Sequence, residues 1–277
     1  MTAARVKQRL GAARGFLFDL DGTLVLGNKQ NKDLECLPGA ADVLQLLASR
    51  NVPVAVLTNG TVCPPAEYRV KLATVGLDLP VQRIMTPAVV AADYFTQRGF
   101  KTVLVLGVDG VWKPLRDAGL EVIRPAEGGD PESADAVFVG WYREIHMDEV
   151  EAACHAVCNG AGLFAASLVP FFATRSGRAL GTSRAICAMI TSITGRRATA
   201  LGKPSPHALH SAARRLGCKP ADMVVVGDQP ELEVRMALEG GALGIAVSSG
   251  IVDPETAKKY KADITLPGVA DLLELLR

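Results

Sequence analysis

Short apolar runs recur along the chain, and most are followed by a stretch with helical spacing. Residues 16–18, 52–57, 101–106, 136–139, 223–226 and 243–247 have the length and composition of strands buried on both faces. Weaker strand patterns lie at 121–123, 163–166, 198–201 and 263–266. Helical patterns occupy 38–49, 65–75, 87–98, 111–118, 147–158, 182–193, 206–216, 232–239, 254–260 and 269–276. Their ends carry punctuation with a mechanism. Pro38, Pro64-Pro65, Pro87 and Pro206 open helices, and Gly76, Gly195, Gly217 and Gly240-Gly241 close them. Residues 25–37 are polar and irregular, suited to a hairpin or flap over a strand end. Residues 1–14 read as a short solvent-exposed helix. Strand–helix alternation of this kind predicts an α/β fold, with a parallel sheet covered on both faces.

Composition narrows this only a little. The chain has 277 residues, enough for one large domain or two ordinary ones. Hydrophobic residues make up 49% and aromatics 5%, so Ala, Val and Leu must build the interior. The net charge of +1, with Lys and Arg spread along the chain, leaves no basic stripe for nucleic acid. No apolar run reaches the length of a membrane span, and no signal core precedes the first strand. None of the six cysteines forms a Cys-x-x-Cys pair or a zinc spacing, which fits a reducing, cytoplasmic setting. Cys154 and Cys158 share a helical face with His155 beside it, and read as small core residues rather than as a metal or redox site.

The candidate chemistry collects in four segments, each placed just after a predicted strand: Asp19-Leu20-Asp21, Thr58-Asn59-Gly60, Gly202-Lys203-Pro204 and Gly227-Asp228. Open parallel sheets bind ligands outside the carboxyl ends of their strands, so four such segments far apart in sequence are expected to converge. Carboxylates crowded together repel unless a cation or a proton neutralises them. Asp19 and Asp21, joined by Asp228, suit Mg²⁺, which prefers oxygen ligands. Asp19 offers an attacking oxygen. Asp21 can protonate a leaving oxygen and later deprotonate water. Thr58 offers a hydroxyl, and the backbone at Asn59 and Gly60 can aim N–H groups at phosphate oxygens. Lys203 supplies fixed positive charge. Together these groups suit phosphoryl transfer.

With Asp-x-Asp-Gly-Thr, then Thr-Asn, then Gly-Lys-Pro, then Gly-Asp in that order, the whole chain resembles the haloacid-dehalogenase-like phosphohydrolases. The long insertion between Asn59 and Lys203 resembles that of the class IIA branch, which includes the NagD, p-nitrophenyl phosphatase and phosphoglycolate phosphatase types. The resemblance implies a Rossmann-like parallel-sheet core, residues 1–86 and 180–277, with a large inserted α/β cap at 87–179. It implies a Mg²⁺-dependent hydrolysis of a small phosphomonoester. Asp19 would be the nucleophile, Asp21 the acid/base, Thr58 and Asn59 the phosphate binders, Lys203 the charge stabiliser and Asp228 a metal ligand. Pairing of two copies through the cap is implied as well.

Three departures mark this chain. Glu233 stands where the family usually has a second Asp, and is expected in the outer shell of the metal site. Ala166-Ser167-Leu168-Val169 replaces a Thr-Asn-Pro-Asp of the cap. Arg175, Arg178 and Arg184 cluster nearby, either as a solvated surface or to read an anionic group of the substrate. Trp141, Tyr142, Arg143 and His146 end a cap strand and are candidates to face the substrate, or else cap packing. His207 and His210, on the helix after Lys203, are weaker acid/base candidates. Rival functions are a phosphotransferase passing phosphate to an alcohol and a binding or regulatory member with lost turnover. A nucleotide-binding dehydrogenase is disfavoured, because no Gly-x-Gly-x-x-Gly follows the first strand.

Overall fold

A computed structural model describes residues 2–27, 34–174, 177–249 and 259–277. The helix expected at 254–260 lies outside the described residues but for its last two, and so do the middle of the 25–37 flap and Arg175. The chain divides into two compact units. One comprises Met1–Thr58, Ala66–Met85 and Lys203–Arg277, the other Asn59–Pro65 and Thr86–Gly202.

The first unit is built on a six-stranded sheet in the order Ile264–Leu266, Leu243–Val247, Met223–Gly227, Gly15–Phe18, Val54–Leu57, Ile84–Met85. Every pairing in it is parallel. Gly15–Phe18, Met223–Gly227 and Leu243–Val247 are buried at every position. That is why they read as unbroken apolar runs rather than alternating ones. Gly15–Phe18 lies between Met223–Gly227 and Val54–Leu57, where the order of strands along the chain reverses. A reversal of this kind opens a crevice at the carboxyl ends.

The expected flap is a short antiparallel pair, Val25–Leu26 with Glu35–Cys36. The N-terminal helix, Ala3–Gly11, differs from the exposed helix expected. It buries Val6 and Leu10 along one face, and Arg9 donates to the carbonyl of Gly241 at 2.7 Å. Its amphipathic spacing is what docks it.

The second unit carries its own parallel sheet, ordered Thr199–Ala200, Gly162–Ala165, Ala136–Val139, Thr102–Leu106, Glu121–Ile123. Side chains on one face, including Val137 and Val139, pack with Val150 and Cys154 of the helix Met147–Cys158 and with Ile186, Cys187 and Ile190 of the helix Thr182–Thr194. On another, Phe138 and Phe164 meet Phe95 of the helix Pro87–Arg98, with ring centroids 6.0 and 5.0 Å apart. Cys154 and Cys187 are therefore core residues, whereas Cys158, expected in the core, is exposed at the end of its helix.

The expected cap boundary at 179/180 differs from this division. The helix Thr182–Thr194 packs in the second unit, and Thr199–Ala200 pairs with Phe164 and Ala165 of the second sheet. A two-residue strand has too little pattern to show which sheet it joins. For the same reason Ile84–Met85 leaves no legible strand signal. The antiparallel hairpin Phe171–Thr174 with Gly177–Leu180 is a further element beyond those expected.

Candidate active site

Asp19 follows the last residue of the central strand, and its N–H still bonds the Val226 carbonyl of the neighbouring strand at 2.8 Å. The chain then folds back tightly. The N–H groups of Leu24 and Val25 both bond the Leu20 carbonyl at 3.0 Å. Gly22 has φ +88, and a Cβ there would stand 2.4 Å from Asp228 Oδ2. Only a glycine leaves this cradle open, so the absence of a side chain at 22 is what lets the Asp228 carboxylate lie against the Asp-x-Asp loop. Asp228 comes directly after the neighbouring strand Met223–Gly227 and is fully buried.

Thr58 comes directly after Val54–Leu57, and its Oγ1 donates to Asp21 Oδ2 at 3.2 Å. Lys203 is reached differently from the other three segments. The strand before it belongs to the second sheet, and Lys203 itself starts the return into the first unit, ahead of the helix Pro206–Leu216. Its ammonium donates to Asp19 Oδ1 and lies 2.6 Å from Glu233 Oε1. Asp19, Lys203 and Glu233 are 4%, 3% and 1% exposed, so this is a buried acid–base–acid triad.

Glu233 thus reaches Lys203, and its second oxygen accepts the Gln229 N–H at 3.0 Å. Sequence reasoning left two further contacts unassigned. Thr23 Oγ1 donates to Asp19 Oδ2 at 3.4 Å, and Ser249 Oγ donates to the Gly22 carbonyl at 2.9 Å. Thr23 is the last residue of the Asp-x-Asp-Gly-Thr motif, where the residue pattern gave it no role. Ser249 carries no signal beyond lying just past a buried strand.

The electrostatics arise from crowding. Burial and the neighbouring Asp19 push the Asp21 carboxyl up to about 6, against the Thr58 hydrogen bond and Lys203. Burial likewise pushes Glu233 up to about 7; Lys203 opposes this and Asp19 adds to it. Burial alone would lower the Lys203 ammonium, but Asp19 and Glu233 outweigh it and hold the group charged.

Among the described residues, the carboxyl groups of Asp19, Asp21, Asp228 and Glu233 and the ammonium of Lys203 gather at these strand ends. The carboxylate donor set is all hard oxygen, which suits a small divalent cation. Magnesium is a hard cation of this kind. This ion is usually held by one or two carboxylates, waters and a substrate phosphate.

The same crowding makes stability depend on pH. A carboxyl with a folded pKa above its unfolded value binds more protons in the folded state, so stability falls as pH rises. For Asp21 and Glu233 the window runs from their ordinary values of 3.8 and 4.5 up to about 6 and 7. Without divalent cation, Tm is expected to fall between about pH 4 and about pH 7, and magnesium added at the upper pH to restore part of the loss. Differential scanning fluorimetry in chelator checks this; a flat profile contradicts it.

Asn59 and Gly60 belong to the second unit, with Asn59 Oδ1 against Gly202. Of the other candidates, some make contacts within their own unit, Arg143, His146 and His210 are exposed, and Arg175 lies outside the described residues. Tyr142 donates its hydroxyl to the buried Glu149 at 2.8 Å, and Glu149 also accepts the His146 N–H at 2.8 Å. Arg143 stacks over Trp141 at 5.7 Å. Arg184 bonds the Leu168 carbonyl at 2.9 Å. The side chain of Arg178 lies outside the described residues, as Arg175 does. His210 is exposed, with Nδ1 2.7 Å from the Pro206 carbonyl of its own helix. The His207 N–H is held by Ser205 at the helix start, at 3.3 Å.

Comparison with known proteins bears on this geometry. Residues 16–121 match the family described as haloacid dehalogenase-like hydrolase, and residues 200–275 one described as HAD-hydrolase-like. The chain is 30% identical over 262 residues to a dihydroxyacetone phosphatase of Corynebacterium glutamicum, covering 94% of this chain and 90% of that one. It is 28% identical to chronophin of Rattus norvegicus, over 99% of this chain and 91% of the other. The solved structure of NagD from E. coli superposes with a TM-score of 0.81 at 25% identity, covering 94% of this chain and 98% of that one. By the similarity to the dihydroxyacetone phosphatase over most of both chains, the chain belongs to the haloacid dehalogenase-like hydrolases, in their class IIA branch, and is a phosphoric monoester hydrolase.

Proposed function

We propose that this protein is a magnesium-dependent phosphatase that hydrolyses a small phosphomonoester through an aspartyl-phosphate on Asp19. The observation that carries the reading is the buried Lys203 bonded to Asp19, with Asp21 held by Thr58 two residues on. An Asp19 oxygen attacks phosphorus, and the bond from phosphorus to the ester oxygen breaks. Asp21, held partly neutral near pH 6 by its surroundings, gives its proton to the departing oxygen. It then takes a proton from a water that attacks the same phosphorus. Phosphate leaves, and Asp19 is regenerated.

Lys203 stays charged throughout and balances the nucleophile and the phosphoryl oxygens. Glu233 pairs with Lys203 as well, which counts against the reading of a member that has lost turnover. Asp19, Asp21 and Asp228 would hold the magnesium, which supplies positive charge against the phosphate oxygens when bound. The Thr58 hydroxyl and the Asn59-Gly60 backbone bind phosphate, and the second unit serves as the cap.

The names of the relatives favour a triose or sugar phosphate as substrate. A cytoplasmic setting and a homodimer pairing through the cap belong to the same reading. The test is p-nitrophenyl phosphate hydrolysis with magnesium and with chelator. Activity is expected only with the metal, with phosphate released to water. Transfer to an added alcohol without free phosphate would point to a phosphotransferase instead.

A further inference from the structure

The turn at Asn59-Gly60 is half-buried, whereas the segment after it is more deeply enclosed. Thr61 is 3% and Cys63 5% exposed, and both are fixed within the second unit. Thr61 Oγ1 accepts the backbone N–H of Trp141 at 3.0 Å. Trp141 is itself fixed, since its carbonyl accepts the Val108 N–H at 3.2 Å just before the helix Asp109–Asp117. The second residue of that helix is Gly110. A Cβ on Gly110 would stand 2.5 Å from the Thr61 carbonyl oxygen and 2.7 Å from the Cys63 nitrogen. The segment after the turn therefore lies backbone to backbone on the helix, with the Thr61 hydroxyl as its polar anchor.

Anion-binding amides act through orientation, and a turn that carries them is only as well aimed as its anchor. We infer that Thr61 is a positioning residue for phosphate binding: its hydrogen bond from Trp141, together with the contact to Gly110, fixes the direction of the Asn59 and Gly60 amides. This rests on the phosphatase reading above and extends it to a residue outside the family motifs that make up the site. Thr61 touches no reacting atom. Its effect is on how firmly phosphate is held.

The test compares Thr61→Val, which keeps the shape and loses the acceptor, with Thr61→Ser, which keeps the hydroxyl. Gly110→Ala displaces the same segment from the other side and stands in should Thr61→Val fail to fold. Inhibition by inorganic phosphate and KM for p-nitrophenyl phosphate are measured beside Tm. Thr61→Val and Gly110→Ala are expected to raise both the inhibition constant and KM by about 5- to 20-fold, the loss of roughly one hydrogen bond's worth of alignment. Thr61→Ser is expected to stay within about twofold of the wild type. A fall in Tm alone, with phosphate inhibition unchanged, would overturn the inference and leave the phosphatase reading intact. So would an equal loss in Thr61→Ser, which would make the role one of methyl packing. A wild-type protein that neither hydrolyses the ester nor binds phosphate would overturn the reading and the inference together.

Discussion

Asp19→Asn is expected to abolish phosphate-ester hydrolysis, by at least about 10⁴-fold in kcat, while leaving a folded protein. An amide oxygen is a far poorer nucleophile than a carboxylate, and no other carboxylate in the site comes directly after the central strand. The structural cost is small for a specific reason. In the wild type one buried ammonium faces two buried carboxylates, Asp19 and Glu233. Removing the charge at 19 leaves Lys203 and Glu233 as a neutral pair, still 2.6 Å apart. Tm measured by circular dichroism should stay close to the wild-type value. Loss of activity with wild-type melting would place the defect in the chemistry; residual turnover within about tenfold of wild type would remove Asp19 from the role of nucleophile.

Lys203→Met should behave differently, although it alters the same contact. The substitution keeps an unbranched chain but leaves Asp19 and Glu233 buried beside one another with no cation. Removing one partner of a buried ion pair typically costs about 3–5 kcal/mol, because the remaining charge is uncompensated. Tm should fall by roughly 10 °C for a chain of this size. Activity should fall by about 10³-fold or more, since the charge facing the phosphoryl oxygens is gone. The double change Lys203→Met with Glu233→Gln removes the second carboxylate charge. It should regain much of the melting temperature and none of the activity. If the single variant melts with the wild type, the buried triad does not carry the electrostatic load assigned to it.

Much of this was legible in the sequence, and the reasons are physical. Strands buried on both faces write themselves as apolar runs, so 16–18, 223–226 and 243–247 marked the core sheet. Ligands gather at strand ends, so Asp19, Thr58 and Asp228 could be named from their place after such runs. Lys203 was named for the wrong local reason. The strand before it joins the other sheet, and pairing partners are a tertiary property that a two-residue strand cannot advertise.

Glu233 shows a second limit. Its charge and its offset from Asp228 are visible in the residue string, and they suggested the metal's surroundings. The side chain turns to Lys203 because burial makes an unpaired ammonium costly, and no spacing rule encodes that choice. The same holds for Arg184. A cluster of arginines read as a solvated surface or as an anion site, and nothing in its spacing showed that the Arg184 side chain bonds a backbone carbonyl in the loop of its own unit. The docking of Thr61 on Gly110 left no signal at all, since a backbone contact has no side chain to announce it.

The central claim is that a covalent phosphoryl group passes through the Asp19 carboxylate. Acid quenching during turnover of a phosphate ester, followed by borohydride reduction and peptide mass spectrometry, tests it directly, because only an acyl phosphate is reduced under these conditions to the alcohol. Conversion of Asp19 to homoserine, dependent on substrate and absent at Asp21, is the expected result. Turnover with no conversion at position 19, or conversion at another carboxylate, would contradict the account.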